Sequence, residues 1–496
     1  MSKIKERAAL GGKPSLVGST SSAPRPLVLD LDGTLIATDL LAETLLLFVK
    51  QHPFRALHVL WWLVKGRAYL KRKLAQAVKV DIEVLPARED VADYARAEAA
   101  KGRAVYIATA ADGDLAQGLM SRFDFISSVI GSDGVVNLKG RNKADALRQR
   151  FPDGFAYAGD AHADLPVWAA ADEAVFAGRS DGLRKRLERI QPPVVAFPQA
   201  RASLRDWAKA LRLHQWAKNS LIFVPIMLGG QAGNPAAWIA CLLGFLGMGV
   251  LASATYVLND LLDLNEDRRH WTKRDRAFAC GKIPIVSGLA VVPVGLIGGL
   301  ALGFAGAGLA GVGMLCIYLA VTLSYSFGLK RAPILDVVIL ASLFTLRLAI
   351  GVVCAQVAWS AWLLVFSMFI FSSLSFAKRV TEIARLKARG GDRLSGRGYL
   401  AADEPVVLAL GVSLASAAVF VMVMYLIEEA FLAGFYGAPQ FMWTFPVVLA
   451  LWLGRIWLLC GRGALDDDPV VFAVRDKISL ALGGFLGLNL MAAIFL

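Results

Sequence analysis

Four short groups of residues have the types and the order that phosphoryl chemistry requires. Asp30 and Asp32 follow the apolar run Leu27-Val28-Leu29 and precede Gly33-Thr34. Thr109 closes the run Val105 to Ala108, Lys143 sits in a Gly-Arg-Asn-Lys turn that opens a helix, and Asp160 and Asp164 follow the run Phe155 to Ala158. Cleaving a phosphomonoester takes a nucleophile, a proton donor, a divalent cation and fixed donors around the equatorial oxygens. Asp30 suits attack, and Asp32 suits protonation of the leaving oxygen. Asp30, Asp32, Asp160 and Asp164 supply hard oxygen ligands for Mg²⁺, while Thr109 and Lys143 hold phosphoryl oxygens.

A second constellation starts at Asn259-Asp260 and continues through Asp263 to Asp267. On one helix these three aspartates share a face and converge on a second Mg²⁺, through which a diphosphate binds. Asn259, Arg268, Lys273 and Arg274 add donors for phosphate oxygens. Lys218, Tyr325, Lys330, Arg331, Lys378 and Arg379 complete the candidate binding set. A plainer reading, in which the charges cap helices and set membrane topology, stands beside the ligand reading.

Apolar strands that end in carboxylates deliver them to the carboxyl edge of a sheet, so the first group needs an α/β core. The order DxDGT, strand-terminal Thr, Lys and GDxxxD over residues 30–164 resembles the haloacid dehalogenase superfamily of phosphatases. That resemblance implies a Rossmann-like core over about residues 27–200, with a helical cap inserted near residues 38–100. The insert carries Trp61, Trp62, Leu63 and Val64 beside Arg55, Lys65, Arg67, Lys71, Arg72 and Lys73. It is too short to span a bilayer. Two readings remain: an amphipathic helix on a membrane surface, which turns the phosphatase toward a lipid-borne substrate, or a helix packed within the cap.

The second constellation needs a membrane. Hydrophobic residues make up 56% of the 496-residue chain and charged residues 19%, too apolar a balance for an ordinary soluble protein. The apolar excess starts after residue 218, where runs near 219–232, 237–257, 285–305, 307–326, 334–354, 361–376, 404–428, 442–460 and 478–496 predict about nine spans. Lys and Arg concentrate in the loops at 258–284, 327–333, 377–403 and 461–477, which the positive-inside rule places in the cytoplasm, with the C-terminus opposite. Residues 201–218 read as an amphipathic linker and residues 1–26 as a disordered basic tail without the apolar core of a secretory signal. The first domain is therefore expected on the cytosolic side of an inner membrane. A net charge of +13 beside membrane spans suits anionic lipid and phosphorylated substrates, and excludes nucleic acid as the expected partner. The five cysteines show no metal or disulfide spacing.

The Asp-rich loop and the span count resemble the UbiA superfamily of intramembrane prenyltransferases, over about residues 205–496. The second loop, Tyr325 to Asp336, has one Asp instead of a pair. Together with Gln215 to Asn219, Lys378-Arg379, Arg397-Gly398-Tyr399 and Asp468 to Asp476, it resembles the branch typified by decaprenyl-phosphate phosphoribosyltransferase. The resemblance implies a polyprenyl phosphate acceptor and phosphoribosyl pyrophosphate as donor. The expectation is a multidomain enzyme with one Mg²⁺ site in each domain. Its all-α membrane domain transfers 5-phosphoribose, and its phosphatase domain then removes the 5-phosphate. Prenyl transfer to an aromatic acceptor and a non-catalytic membrane scaffold are the other readings, and the sequence is compatible with an oligomer.

Overall fold

The computed structural model describes residues 24–394, 397–465, 469–473 and 475–496, and the chain divides into two compact units after Arg201. Most of the basic tail read at residues 1–26 lies outside the described residues, as do Asp468 and Val474 of the C-terminal motif.

The first unit runs β1 (Leu27–Leu29), α1 (Leu40–Gln51), α2 (His58–Val64), α3 (Arg67–Ala77), α4 (Glu89–Ala100), β2 (Val105–Asp112), α5 (Gly113–Gln117) and β3 (Ser128–Ser132). It continues with α6 (Arg141–Arg150), β4 (Ala156–Gly159), α7 (Leu165–Trp168), β5 (Glu173–Phe176), α8 (Asp181–Ile190) and β6 (Val195–Ala196). The six strands pair in the order β3-β2-β1-β4-β5-β6, every pair parallel. Both faces are covered, which is why the strands read as continuous apolar runs. Leu27 and Leu29 pack into one cluster with Ile107 and Ala158, while Val28 packs on the other side with Ala108, Tyr157 and Trp168. The strand order reverses at β1, so a crevice opens beyond the carboxyl ends of β1 and β4. The insert between β1 and β2 is helical, as its sequence suggests.

The second unit runs α9 (Leu204–Ala210), α10 (Val224–Leu228), α11 (Pro235–Leu262), α12 (Leu264–Arg269), α13 (Ile285–Phe327), α14 (Leu335–Ala355) and α15 (Ala361–Ala388). It ends with α16 (Glu404–Tyr425), α17 (Thr444–Gly461), α18 (Pro469–Ala473) and α19 (Lys477–Phe495). Among the described residues seven helices are long and apolar enough to cross a membrane, where the sequence predicted nine. Two differences account for this. The first apolar run forms a 3-10 segment, Leu213–Phe223, followed by the five-residue α10, which Pro225 opens with no N–H to donate backward. The runs at 285–305 and 307–326 are merged into the 43-residue α13. Its backbone is broken at Ala307 and at Gly308, where φ is 59°. The chain reverses there: a Cβ on Gly311 would stand 2.4 Å from the Gly303 carbonyl, whereas eight residues of continuous helix rise about 12 Å. α13 thus makes two passes.

The segment expected as a linker at 201–218 packs into the second unit, with Trp216 against Gly249 and its Nε1 donating to Ser253 Oγ at 3.0 Å. Glycines let α11 and α13 meet backbone to backbone. A Cβ on Gly247 would lie 2.9 Å from the Gly299 carbonyl, and one on Gly306 2.9 Å from the Ala240 carbonyl.

Candidate functional sites

In the first unit the strand-edge crevice collects the predicted residues. Lys143 Nζ, brought in by α6, donates to Asp30 Oδ1 at 2.8 Å and to Tyr157 Oη at 2.9 Å, and lies 3.8 Å from Asp164 Oδ1. Tyr157 Oη donates to Asp164 Oδ1 at 2.7 Å, and Asp164 Oδ2 accepts the Asp160 and Ala161 N–H groups at 3.2 and 3.0 Å. Thr109 is buried on β2, its Oγ1 accepting the Ala111 N–H at 3.0 Å. Oxygens of Asp30, Asp160 and Asp164 lie within 4.8 Å of one another.

Asp32, expected in the metal set, is outside this group. It lies in the turn past β1, where its Oδ1 accepts the Leu40 N–H at 2.9 Å at the start of α1, whose N-cap is Asp39. Gly33 is required at its position: φ is 78°, and a Cβ there would stand 2.2 Å from Asp160 Oδ2.

Burial pushes Asp30 up to about 6 against the pull of Lys143. Burial and the Asp39 carboxylate push Asp32 up to about 8, so it keeps its proton at neutral pH, as a proton donor must. Burial and the Asp30 and Asp164 charges hold Asp160 well above the usual carboxylate range. Three converging carboxylates against one lysine leave an excess of negative charge, and hard oxygen donors at this spacing fit Mg²⁺.

Two further residues belong to this site. Tyr157 read as part of an apolar strand, yet its hydroxyl joins Lys143 to Asp164. Lys71 read as one of the cap's basic residues, yet from α3 its Nζ donates to Ala110 O at 2.6 Å and to Asn137 Oδ1 at 3.1 Å. It also faces Asp32 and Asp39, and burial lowers its pKa.

In the second unit α11 stops at Leu262 and α12 restarts at Leu264, with Asp263 between them. Asp260, Asp263 and Asp267 therefore do not share one continuous helix. Asp260 Oδ1 accepts from Arg212 Nη2 at 2.5 Å and from Arg276 Nη1 at 3.0 Å, and the same Arg276 nitrogen donates to Asp267 Oδ2 at 2.7 Å. Asp263 Oδ2 accepts from Asn259 Nδ2 at 3.2 Å. Among the described residues these three do not reach the spacing of the first unit's carboxylates. Asp260 and Asp267 still converge on one cationic nitrogen, so this pair fits a divalent cation that takes its position.

A second pole surrounds Asp336 at the start of α14, which is fully buried. Its carboxylate accepts from Tyr399 Oη at 2.7 Å and from Arg397 Nη1 at 3.3 Å, and lies 3.4 Å from Arg379 Nε. Arg397 Nη1 also donates to Tyr325 Oη at 3.0 Å, and Arg379 is paired with Glu382. The lone Asp of this loop thus holds arginines. Arg379 is fully buried, and its Nη2 has no hydrogen-bond partner among the described residues. Within the apolar part of α14, Arg347 donates to Asn219 Oδ1 at 2.9 Å and to Tyr318 Oη at 3.3 Å. An apolar cleft of about 420 Å³, lined by Leu211, Leu213, Trp216, Val250, Val291 and Val294, opens beside Arg212.

Residues 220–480 match the UbiA prenyltransferase family. The chain belongs to that family. An uncharacterized protein, y4nM, of Sinorhizobium fredii is 41% identical over 466 residues, 93% of this chain and 89% of the relative. Nodulation protein NoeC of Azorhizobium caulinodans is 35% identical, over 58% of this chain and 94% of its own length. Decaprenyl-phosphate phosphoribosyltransferase of Corynebacterium glutamicum is 35% identical, over 42% of this chain and 64% of its own. A UbiA homolog from Archaeoglobus fulgidus, solved with DMAPP and Mg²⁺, aligns over 58% of this chain and 97% of its own, at 16% identity and a TM-score of 0.44.

With its apolar helices, this UbiA chain is a multi-pass membrane protein. Of the other predicted residues in its UbiA unit, Lys378 and Arg379 lie within α15, not in the loop expected at 377–403. Lys218 Nζ stands 5.7 Å over the Phe344 ring, and Arg268 Nε donates to Ala279 O at 3.0 Å. Lys273, Arg274 and Arg331 are exposed and Lys330 is half-buried. Asp476 of the C-terminal motif caps α19 and pairs with both terminal nitrogens of Arg455, at 2.7 and 3.0 Å. Sequence reasoning passed over Arg347 altogether, although a charge inside an apolar run is itself a signal.

Proposed function

We propose that the UbiA unit transfers 5-phosphoribose from phosphoribosyl pyrophosphate to a polyprenyl phosphate, and that the first unit hydrolyses the 5-phosphate of the product. The observation that carries this reading is the second pole. A carboxylate that binds two arginines, one with an unmatched buried N–H, is a receptor for anionic oxygen. This suits a donor and an acceptor that both carry phosphate. Relatives named decaprenyl-phosphate phosphoribosyltransferase support the same assignment.

In the transfer step Arg379, Arg397 and Tyr325 hold phosphate oxygens, and Lys218, Lys330, Arg331 and Lys378 add positive charge around them. The cleft beside Arg212 takes the first isoprenoid units, which keeps the acceptor phosphate near Asp260. Asp260 and Asp267, with Asp263 and Asn259 beside them, would hold Mg²⁺, which would supply charge neutralisation for the pyrophosphate leaving group.

In the hydrolytic step Asp30 attacks phosphorus and Asp32 gives its proton to the leaving ribose oxygen. Asp32 then takes a proton from the water that releases phosphate from Asp30. Lys143 and Thr109 hold the equatorial oxygens, and Tyr157 keeps Lys143 and Asp164 in register. Asp30, Asp160 and Asp164 would hold Mg²⁺, which would supply charge neutralisation of the phosphoryl group. The first unit sits on the cytosolic face of an inner membrane in this reading.

Incubation of the purified chain with radiolabelled phosphoribosyl pyrophosphate, polyprenyl phosphate and Mg²⁺ tests it. Labelled lipid is expected, lost in Asp260→Asn and retained as the 5-phosphorylated form in Asp30→Asn. Absence of labelled lipid would sink the transfer step. The same product from Asp30→Asn as from the parent would sink the coupling.

A further inference from the structure

The helical insert between β1 and β2 presents a face that the candidate site does not use. α2 has no buried residue. Phe54, Leu57, Leu60, Trp61, Leu63 and Val64 are 98, 76, 63, 55, 46 and 86% exposed. Trp62 anchors the segment, packing at 5.2 Å on Phe48 of the small core that holds α1 to α3. Six large apolar side chains left outside on eleven consecutive residues mark an interaction surface.

The charges around them select the partner. Between Glu43 and Asp81 there is no acidic residue, but there are eight lysines and arginines. Arg55, Lys65 and Arg67 are exposed beside the apolar face, and Lys65 Nζ stands 3.8 Å over the Trp61 ring. An anionic bilayer surface takes both components: apolar side chains enter below the headgroups, and cations with long stems remain at the level of the phosphates. The same chain carries helices long and apolar enough to cross a membrane, so the protein itself is bound to a bilayer.

We propose that residues 54–64, flanked by Arg55, Lys65 and Arg67, form a bilayer-inserting surface that holds the first unit on anionic membrane. α3, which carries Lys71 into the candidate site, follows directly after Gly66, whose φ is 112°. The surface that grips lipid and the helix that reaches the site are thus consecutive. The inference does not depend on what the first unit hydrolyses.

The test uses the full chain in single-copy nanodiscs with brominated acyl chains, with or without a third of phosphatidylglycerol in phosphatidylcholine. The Trp61 contribution is the difference between the parent and Trp61→Phe. It should be quenched at least twofold in anionic discs and less in neutral ones. Hydrogen exchange over residues 53–66 should slow at least tenfold in anionic discs. A Phe54→Asp/Leu60→Asp/Val64→Asp variant should lose both effects while β2 keeps its protection, which controls for folding. Equal quenching of parent and Trp61→Phe overturns the proposal. So does protection that ignores lipid charge, or that appears only when discs hold two copies, which assigns the face to a second chain.

Discussion

Asp30 and Asp32 are two residues apart, yet their surroundings give them different chemistry. Asp30 lies against Lys143, which favours its ionised form, whereas burial and the Asp39 carboxylate hold Asp32 up to about 8. The proton on Asp32 is present below that value and lost as pH rises through it. Hydrolysis of an alkyl phosphate, whose leaving oxygen needs a proton, should therefore fall about tenfold per unit above pH 8. Hydrolysis of p-nitrophenyl phosphate, with its acidic leaving group, should hold its rate. Initial rates on both substrates at saturating Mg²⁺ check this, and parallel profiles would count against Asp32 as the donor. Asp30, Asp160 and Asp164 could be read as one group because each follows an apolar strand run, which carries it to the same sheet edge. Tyr157 was not, because one hydroxyl in a buried strand looks the same whether it packs or bridges.

Elements position these residues through backbone geometry that side-chain patterns record only in part. The strand-ending runs were readable because a sheet buried on both faces leaves continuous apolar segments. The break between α11 and α12 was not, since Asp260, Asp263 and Asp267 have helical spacing whether or not the helix continues. The reversal in α13 was visible as two apolar runs, but the glycine contacts that close it against α11 were not. Gly299→Leu places a side chain where a Cβ already meets Leu251 Cβ at 2.8 Å and the Gly247 carbonyl at 2.9 Å. It should cost about 1–3 kcal/mol by overpacking. A lower thermal midpoint of the UbiA unit in detergent, with β2 amides still protected, is the expected result. An unchanged midpoint would show that α11 and α13 have room to separate.

At the scale of the whole molecule, the proposed function puts two phosphate-handling units on one chain, and the proposed intermediate is a lipid. A polyprenyl product stays in the bilayer after release, so two differently disabled copies should complement each other. Asp30→Asn and Asp260→Asn chains reconstituted together in one vesicle should yield dephosphorylated ribosyl lipid. The same chains in separate vesicles should yield only the 5-phosphorylated form. Thin-layer separation of labelled lipids reads the outcome. Failure to complement in a shared vesicle would mean that the intermediate never leaves the chain that makes it.

The sequence by itself determined the division into a parallel α/β unit and a helical membrane unit. Hydrophobic period, run length and charge placement are set locally and survive without coordinates. It also determined which carboxylates sit at strand ends, because strand and turn are adjacent in the chain. Only the tertiary structure decided which charges meet. Arg276 joins Asp260 to Asp267, Asp336 gathers Arg379, Arg397 and Tyr399, and Lys71 crosses from the insert to Ala110. Those partners lie up to 63 residues apart. Long-range pairing of this kind follows from how helices pack, which composition and spacing do not encode.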